Sequence, residues 1–247
     1  MTQHLLLLIG GLAAGFINTL ASSGSAVSLP IFLFLGFSPH VANATNRLNV
    51  LAAAVSSAIV FARQGKIDWG HAPQVLAPTV GGSVFGALLA IWLPDRGLTW
   101  VIILAVAMSL ILVLAGTKRF LRAPKQEHLT FGWPQTGLLF LVGIWAGLIV
   151  LDGYTYLLLT LVLAVGYDLV EANAMKVIAG IGVTCAAIAL FADQAEVEWF
   201  AGGLMSFGGV AGAWVGAKLA ASERSKVWVF RLLVITIVGE IVRMVWR

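Results

Sequence analysis

The sequence predicts an all-α, polytopic integral membrane protein made of two inverted repeats. Each repeat is a broken, re-entrant helical hairpin followed by three transmembrane helices. Composition, run length and an internal duplication carry this reading. Of 247 residues, 60% are hydrophobic and only 15 are basic and 11 acidic, giving a mean hydropathy of +0.97. A water-soluble chain carries about 25% charged residues to wet its outside, against 11% here. Lipid must therefore face much of the surface, which excludes a disordered chain, a secreted disulfide scaffold and a nucleic-acid binder. The net charge of +4 sits in short loops, where Lys and Arg orient membrane proteins.

A helical crossing needs about 20 apolar residues. Residues 1–121 form repeat 1, with a hairpin over 3–37 and helices over 41–62, 72–93 and 98–117. A cytoplasmic linker covers 122–133, and repeat 2 covers 134–247, with a hairpin over 134–166 and helices over 172–192, 199–219 and 227–246. The two hairpin runs are too long for one comfortable helix and too short for two full ones. Polar residues interrupt them at 21–25 and 152–155, which predicts two short helices meeting at a tip inside the membrane. Such backbone survives only when buried in protein or lining a wet cavity. The first run has no basic n-region and no small-residue cleavage site, so it reads as a retained segment.

Shifting the chain by 130 superimposes Gly36 on Gly166, Trp69 on Trp199, Gly86-Ala87 on Gly216-Ala217 and Ala42-Asn43-Ala44 on Ala172-Asn173-Ala174. From Gly36 to Ala90, 14 of 55 positions are identical without a gap. Gly11 and Gly15 match Gly143 and Gly147 at a shift of 132. Charge distinguishes the copies: Arg63 and Lys66 in one loop are answered by Asp193, Glu196 and Glu198 in the other. Equivalent loops of opposite sign belong on opposite sides, and Lys118, Arg119, Arg122 and Lys125 place the linker in the cytoplasm. An odd number of crossings per repeat inverts the halves.

Inverted repeats with broken helices recur in secondary transporters, with the substrate near the midplane. Half-helix N-termini there carry partial positive charge, which suits an anion. Ser22, Ser23 and Ser25 are placed to add hydroxyl donors, or else to cap the second half-helix. Asn43, Thr45, Asn46, Arg47 and Asn49 are expensive in hydrocarbon and should face the interior. Asn173 and Lys176 are their counterparts in the second copy. Two cations among amide donors describe an oxyanion site; the alternative is that Arg47 and Lys176 snorkel to the headgroups. Asp152, in the second break, is a helix cap, a carrier of the coupled proton or a salt-bridge partner of Lys176.

The glycine ladders, Gly82/Gly86, Gly208/Gly212/Gly216 and Gly11/Gly15, read as close helix packing. Cys185 is the single cysteine and His4, His40, His71 and His128 lack ligand spacing. The expectation is therefore no metal, no cofactor and no catalytic set: a non-enzyme. Its partners are a small anionic substrate and the lipid bilayer, with room for a homodimer. An anion channel built from the same donors is the alternative.

The break followed by Pro30, then Gly36 and the Ala42-Asn43-Ala44-Thr45-Asn46 segment, with Gly166 and Ala172-Asn173-Ala174 as a degenerate second copy, resembles the sulfite exporter TauE/SafE family. The resemblance spans essentially the whole chain. It implies a multi-pass inner-membrane permease, usually exporting, for sulfur-containing anions such as sulfite or organosulfonates, and it implies that Ser22, Ser23, Asn43, Thr45 and Asn46 line the site. Another small anion, such as a carboxylate or sulfate, remains the alternative cargo. The first break carries serines where the family often has glycines, and the second offers Asp152-Gly153 and Thr160.

Overall fold

The computed structural model describes residues 2–94, 96–98, 100–101, 129–151, 153–194 and 197–220. Most of the predicted 98–117 span and 122–133 linker, all of 227–246, and the residues Asp152 and Glu196 lie outside the described residues. Among those described, the helices are α1 (Thr2–Ala21), α2 (Ser25–Phe34), α3 (Pro39–Arg63), α4 (Ala72–Trp92), α5 (Trp133–Leu148), α6 (Gly153–Thr160), α7 (Leu169–Asp193) and α8 (Trp199–Ala220). A π-helical turn, Leu161–Val165, continues α6. Five of these helices, α1, α3, α4, α7 and α8, are long and apolar enough to cross a membrane.

Helices α3 and α7 begin alike. A left-handed glycine, Gly36 at φ 91° or Gly166 at φ 102°, turns the chain out of the preceding half-helix. Then Ser38 accepts from the Val41 amide, and Asp168 accepts from the amides of Val170 and Glu171. These caps satisfy N–H groups that a helix start leaves open.

The hairpins differ from the expected pair of short arms. Helix α1 has 20 residues and α2 has 10, roughly 30 Å against 15 Å at helical rise. The break comes late because Ser22 takes φ 64°, the left-handed position that closes a helix C-terminus and is usually glycine. Gly24 then lets α2 fold tightly back: a Cβ there would lie 2.2 Å from the Ala14 carbonyl oxygen. Further along α2, Ile31 lies against Gly10, so α1 and α2 are antiparallel. The second hairpin has arms of 16 and 8 residues.

Two glycine seams join distant parts of the chain. Gly11 and Gly15 face the backbone of Met205 and Gly209, while Gly208 and Gly212 face Leu8 and Leu12. Gly143 and Gly147 face Thr79 and Ser83, while Gly82 and Gly86 face Phe140 and Ile144. Residue numbers rise together along both seams, so α1 runs parallel to α8 and α4 runs parallel to α5. Close backbone approach of this kind drives association in lipid, where burial of apolar surface gives no advantage. The contact set repeats when 132 is added along α1 and 126 along α4. The ungapped shift of 130 is therefore one helical turn out of register in α4 and α8; five residues separate α7 from α8, against eight between α3 and α4.

A buried layer formed by Phe61, Val75, Leu139, Leu157, Leu158, Tyr167 and Met175 fills the interior. Outside it, Phe85, Phe207 and Leu141 are exposed, as a lipid-facing surface requires. Trp69 and Trp199 are exposed beside helix ends, where aromatic rings anchor to the interface.

Candidate functional site

The tips of the two hairpins meet. Ser23 Oγ lies 3.4 Å from Thr155 Oγ1, joining the start of α2 to the start of α6. Adding 132 to 23 gives 155, so each hydroxyl meets its own counterpart. The N-cap of α2 is Gly24, with no side-chain cap hydrogen bond of its own. Ser25 Oγ accepts from Asn46 Nδ2 at 3.1 Å, and Ser22 Oγ accepts from Lys176 Nζ at 2.9 Å. Amide N–H2 and ammonium groups can only donate. Both serine oxygens are thereby used as acceptors, and their hydroxyl hydrogens are left to donate elsewhere.

The C-terminal ends of α1 and α5 stop beside these tips, each with carbonyls that nothing in its own helix can satisfy. In lipid those carbonyls must find protein donors. Asn43 Nδ2 donates to the Leu148 carbonyl at 3.2 Å, and Asn43 Oδ1 accepts from the Val150 amide at 3.2 Å. Arg47 donates to the carbonyls of Ala146 and Gly147 at 3.0 and 2.6 Å. On the other hairpin, Asn173 Nδ2 donates to the Thr19 carbonyl at 2.9 Å and Lys176 Nζ to the Asn18 carbonyl at 3.2 Å. Each cation thus sits at the negative end of a broken helix contributed by the other half of the chain. Arg47 is 1% and Lys176 2% exposed, so neither snorkels; Arg47 also lies over the Phe191 ring at 5.0 Å.

The remaining predicted residues point elsewhere. Thr45 Oγ1 accepts from the Glu198 amide at the start of α8. Asn49 packs its Oδ1 against the Cα face of Gly209. All ten predicted substrate-binding residues are buried, and of these Ser22, Ser23, Ser25, Asn43, Asn46, Arg47, Asn173 and Lys176 gather around the breaks. Thr155, Asn18 and Tyr154 were not singled out from sequence; the shift of 132 applied to Ser23 would have found Thr155. Among the described residues, no group of three or more His, Cys, Asp or Glu could hold a metal.

A polar cluster joins two loops at a helix boundary. Asp68 Oδ2 accepts from Tyr167 Oη at 3.0 Å and pairs with His71 Nδ1 at 2.7 Å, and His71 stacks on Phe131. Partial burial pushes the Asp68 carboxyl up, but the hydrogen bonds from His71 and Tyr167 outweigh it and hold the group below its ordinary value. Burial, and then the Asp68 carboxylate, push the Tyr167 phenol above the usual range.

The sequence pattern of the family described as "Sulfite exporter TauE/SafE" matches residues 7–244. The chain belongs to that family. It is 28% identical over 244 residues to "Probable membrane transporter protein ORF9" of a Sinorhizobium species, covering 98% of this chain and 92% of the relative. It is 26% identical over 215 residues to "Probable membrane transporter protein YfcA" of Escherichia coli K12, covering 86% and 79%. A "Probable membrane transporter protein" of Haemophilus influenzae is 26% identical over 222 residues, covering 86% and 83%. No solved structure matches. This TauE/SafE member is a multi-pass membrane transporter and not an enzyme, which agrees with the expectation from sequence.

Proposed function

We propose that the protein is an inner-membrane secondary carrier that exports a small sulfur-containing oxyanion, sulfite or an organosulfonate, by alternating access between two inverted halves. The anion is held where the α2 and α6 N-termini converge. The observation that carries this reading is the Ser23–Thr155 contact. It brings two positive helix ends and several O–H donors to one point, and a residue meeting its own counterpart lies on a two-fold axis.

Inversion has independent support. Within each half the successive helices reverse direction, so α1 opposes α4 and α5 opposes α8. The parallel seams α1–α8 and α4–α5 then support halves that point in opposite directions. With the C-terminal ends compensated by Arg47 and Lys176, the cargo meets donors and not carbonyls. Burial of the ten described candidate residues to 2% exposure or less favours an occluded carrier over an open pore.

A panel of sulfite, sulfoacetate, taurine, methanesulfonate, sulfate and small carboxylates, run as thermal shift and as proteoliposome flux, tests the proposal. Sulfur oxyanions should stabilise and move. The double variant Ser23→Val/Thr155→Val should raise the apparent KM at least about tenfold, the loss of roughly one charge-assisted hydrogen bond. Parent-like flux in that variant would remove the tips as the binding point.

A further inference from the structure

Lys176 and Arg47 share one task at the helix ends, but chemistry divides them. A guanidinium is permanently charged, whereas an ammonium can give up a proton. Lys176 Nζ has three hydrogens and makes two hydrogen bonds, to the Asn18 carbonyl and Ser22 Oγ. Among the described residues no carboxylate pairs with it.

Beside it lies a small cavity of about 10 Å³, lined by Asn18, Thr19, Ser57, Tyr154 and Lys176 among others. That is room for about one water molecule. Asn18 Oδ1 is buried without a partner, so the cavity wall has an unmet acceptor as well as an unmet donor. Buried water typically fills such a gap. Among the described residues, Tyr154 of α6 is the only other titratable group lining this space. Helix α1 contributes Asn18 and Thr19, and α3 contributes Ala54 and Ser57; none of these carries charge. The Tyr154 hydroxyl is engaged by the Gly180 carbonyl and by Thr184 Oγ1.

We propose that this cavity holds a single water bridging Lys176 Nζ to Asn18 Oδ1, and that Lys176 is the proton-binding site of the transport cycle. This rests on the anion-carrier reading above. With an anion at the tips, one residue away from Ser22, the ammonium has a counter-charge. When the anion departs, the partial charge at the end of α1 is what balances it among the described residues. The N–H bond then breaks, its electron pair stays on nitrogen, and the proton passes to the cavity water and out on the open side. The reverse transfer accompanies anion binding. One proton therefore travels with each anion, a monoanion crosses without net charge, and export runs when the anion's outward gradient exceeds the inward proton gradient.

Two measurements test this with methanesulfonate, which stays ionised throughout. In proteoliposomes with the potential clamped, a gradient of one pH unit, acid outside, should drive about tenfold accumulation by the parent and by Asp152→Asn. Lys176→Arg, which keeps the charge but cannot release it, should exchange methanesulfonate at equal pH yet accumulate none. In detergent and weak buffer, the unmodified protein should take up one proton per methanesulfonate bound, a reading that needs no variant to fold.

Accumulation by Lys176→Arg would overturn the inference. So would anion binding without proton uptake, or loss of uptake in Asp152→Asn alone. Absence of methanesulfonate exchange by the parent, with no other sulfur oxyanion moved, would instead overturn the carrier reading beneath it.

Discussion

Replacing Arg47 with Met separates a cap from a cargo ligand. The guanidinium makes two bonds to backbone carbonyls, at 3.0 and 2.6 Å, and each charge-assisted bond of this kind contributes about 1.5–3 kcal/mol. Removing the side chain leaves the Ala146 and Gly147 carbonyls without donors in a place water does not reach. Relief of a buried charge offsets part of that loss, leaving a net cost of about 2–4 kcal/mol. For a chain of this size that is a fall in Tm on the order of 10 °C. Arg47→Lys, a point donor without the fork, can serve one carbonyl and should fall about half as far. Thermal unfolding in detergent, followed by size-exclusion fluorescence, reads this directly, with sulfite flux measured in parallel. If Arg47→Met unfolds at the parental temperature while flux disappears, Arg47 serves the anion, and the capping role drawn from its geometry is wrong.

Gly86→Ala would place a methyl 1.8 Å from the Ile144 carbonyl oxygen; parting α4 from α5 should cost about 1–3 kcal/mol, seen as a reduced monodisperse yield, whereas Gly137→Ala, with nothing within 4 Å, should behave as the parent. The Asp68 carboxyl is held below its ordinary value, so its contribution to stability is present above the unfolded-state value near 4 and is lost as pH falls through the lower folded one. Tyr167→Phe should weaken that contribution at neutral pH and flatten the acid limb of a Tm–pH curve; an unchanged limb would mean the Tyr167–Asp68 bond adds nothing.

Helix positions were legible in the sequence because hydrocarbon thickness sets run length. The expected 41–62, 72–93, 172–192 and 199–219 appear as Pro39–Arg63, Ala72–Trp92, Leu169–Asp193 and Trp199–Ala220. Residues that crowd the breaks were legible too, since buried polar groups are costly in an apolar chain. Their targets were not. Spacing puts Asn43, Asn46, Arg47 and Asn49 on one turn-and-a-half of helix, but only packing decides that Asn43 and Arg47 reach the end of α5, Asn46 reaches Ser25 and Asn49 meets Gly209. The one-turn slip between copies was hidden for a related reason: Gly82/Gly86 matches both Gly208/Gly212 and Gly212/Gly216, since glycines every four residues align equally well in either register.

The glycine seams also decide what can move. At 1.8–2.1 Å between a virtual methyl and the opposing carbonyl oxygens of Leu8, Leu12, Phe140 and Ile144, neither seam has slack for one partner to slide along the other. Helix α1 is thereby tied to α8, and α4 to α5, although each pair takes one helix from either half of the chain. Under the proposed alternating access the moving parts are two hybrids, each with one member from either copy, and a hinge must be sought where the chain passes from one hybrid to the other. A crosslink inside a hybrid should be harmless to turnover, whereas one between hybrids should arrest it.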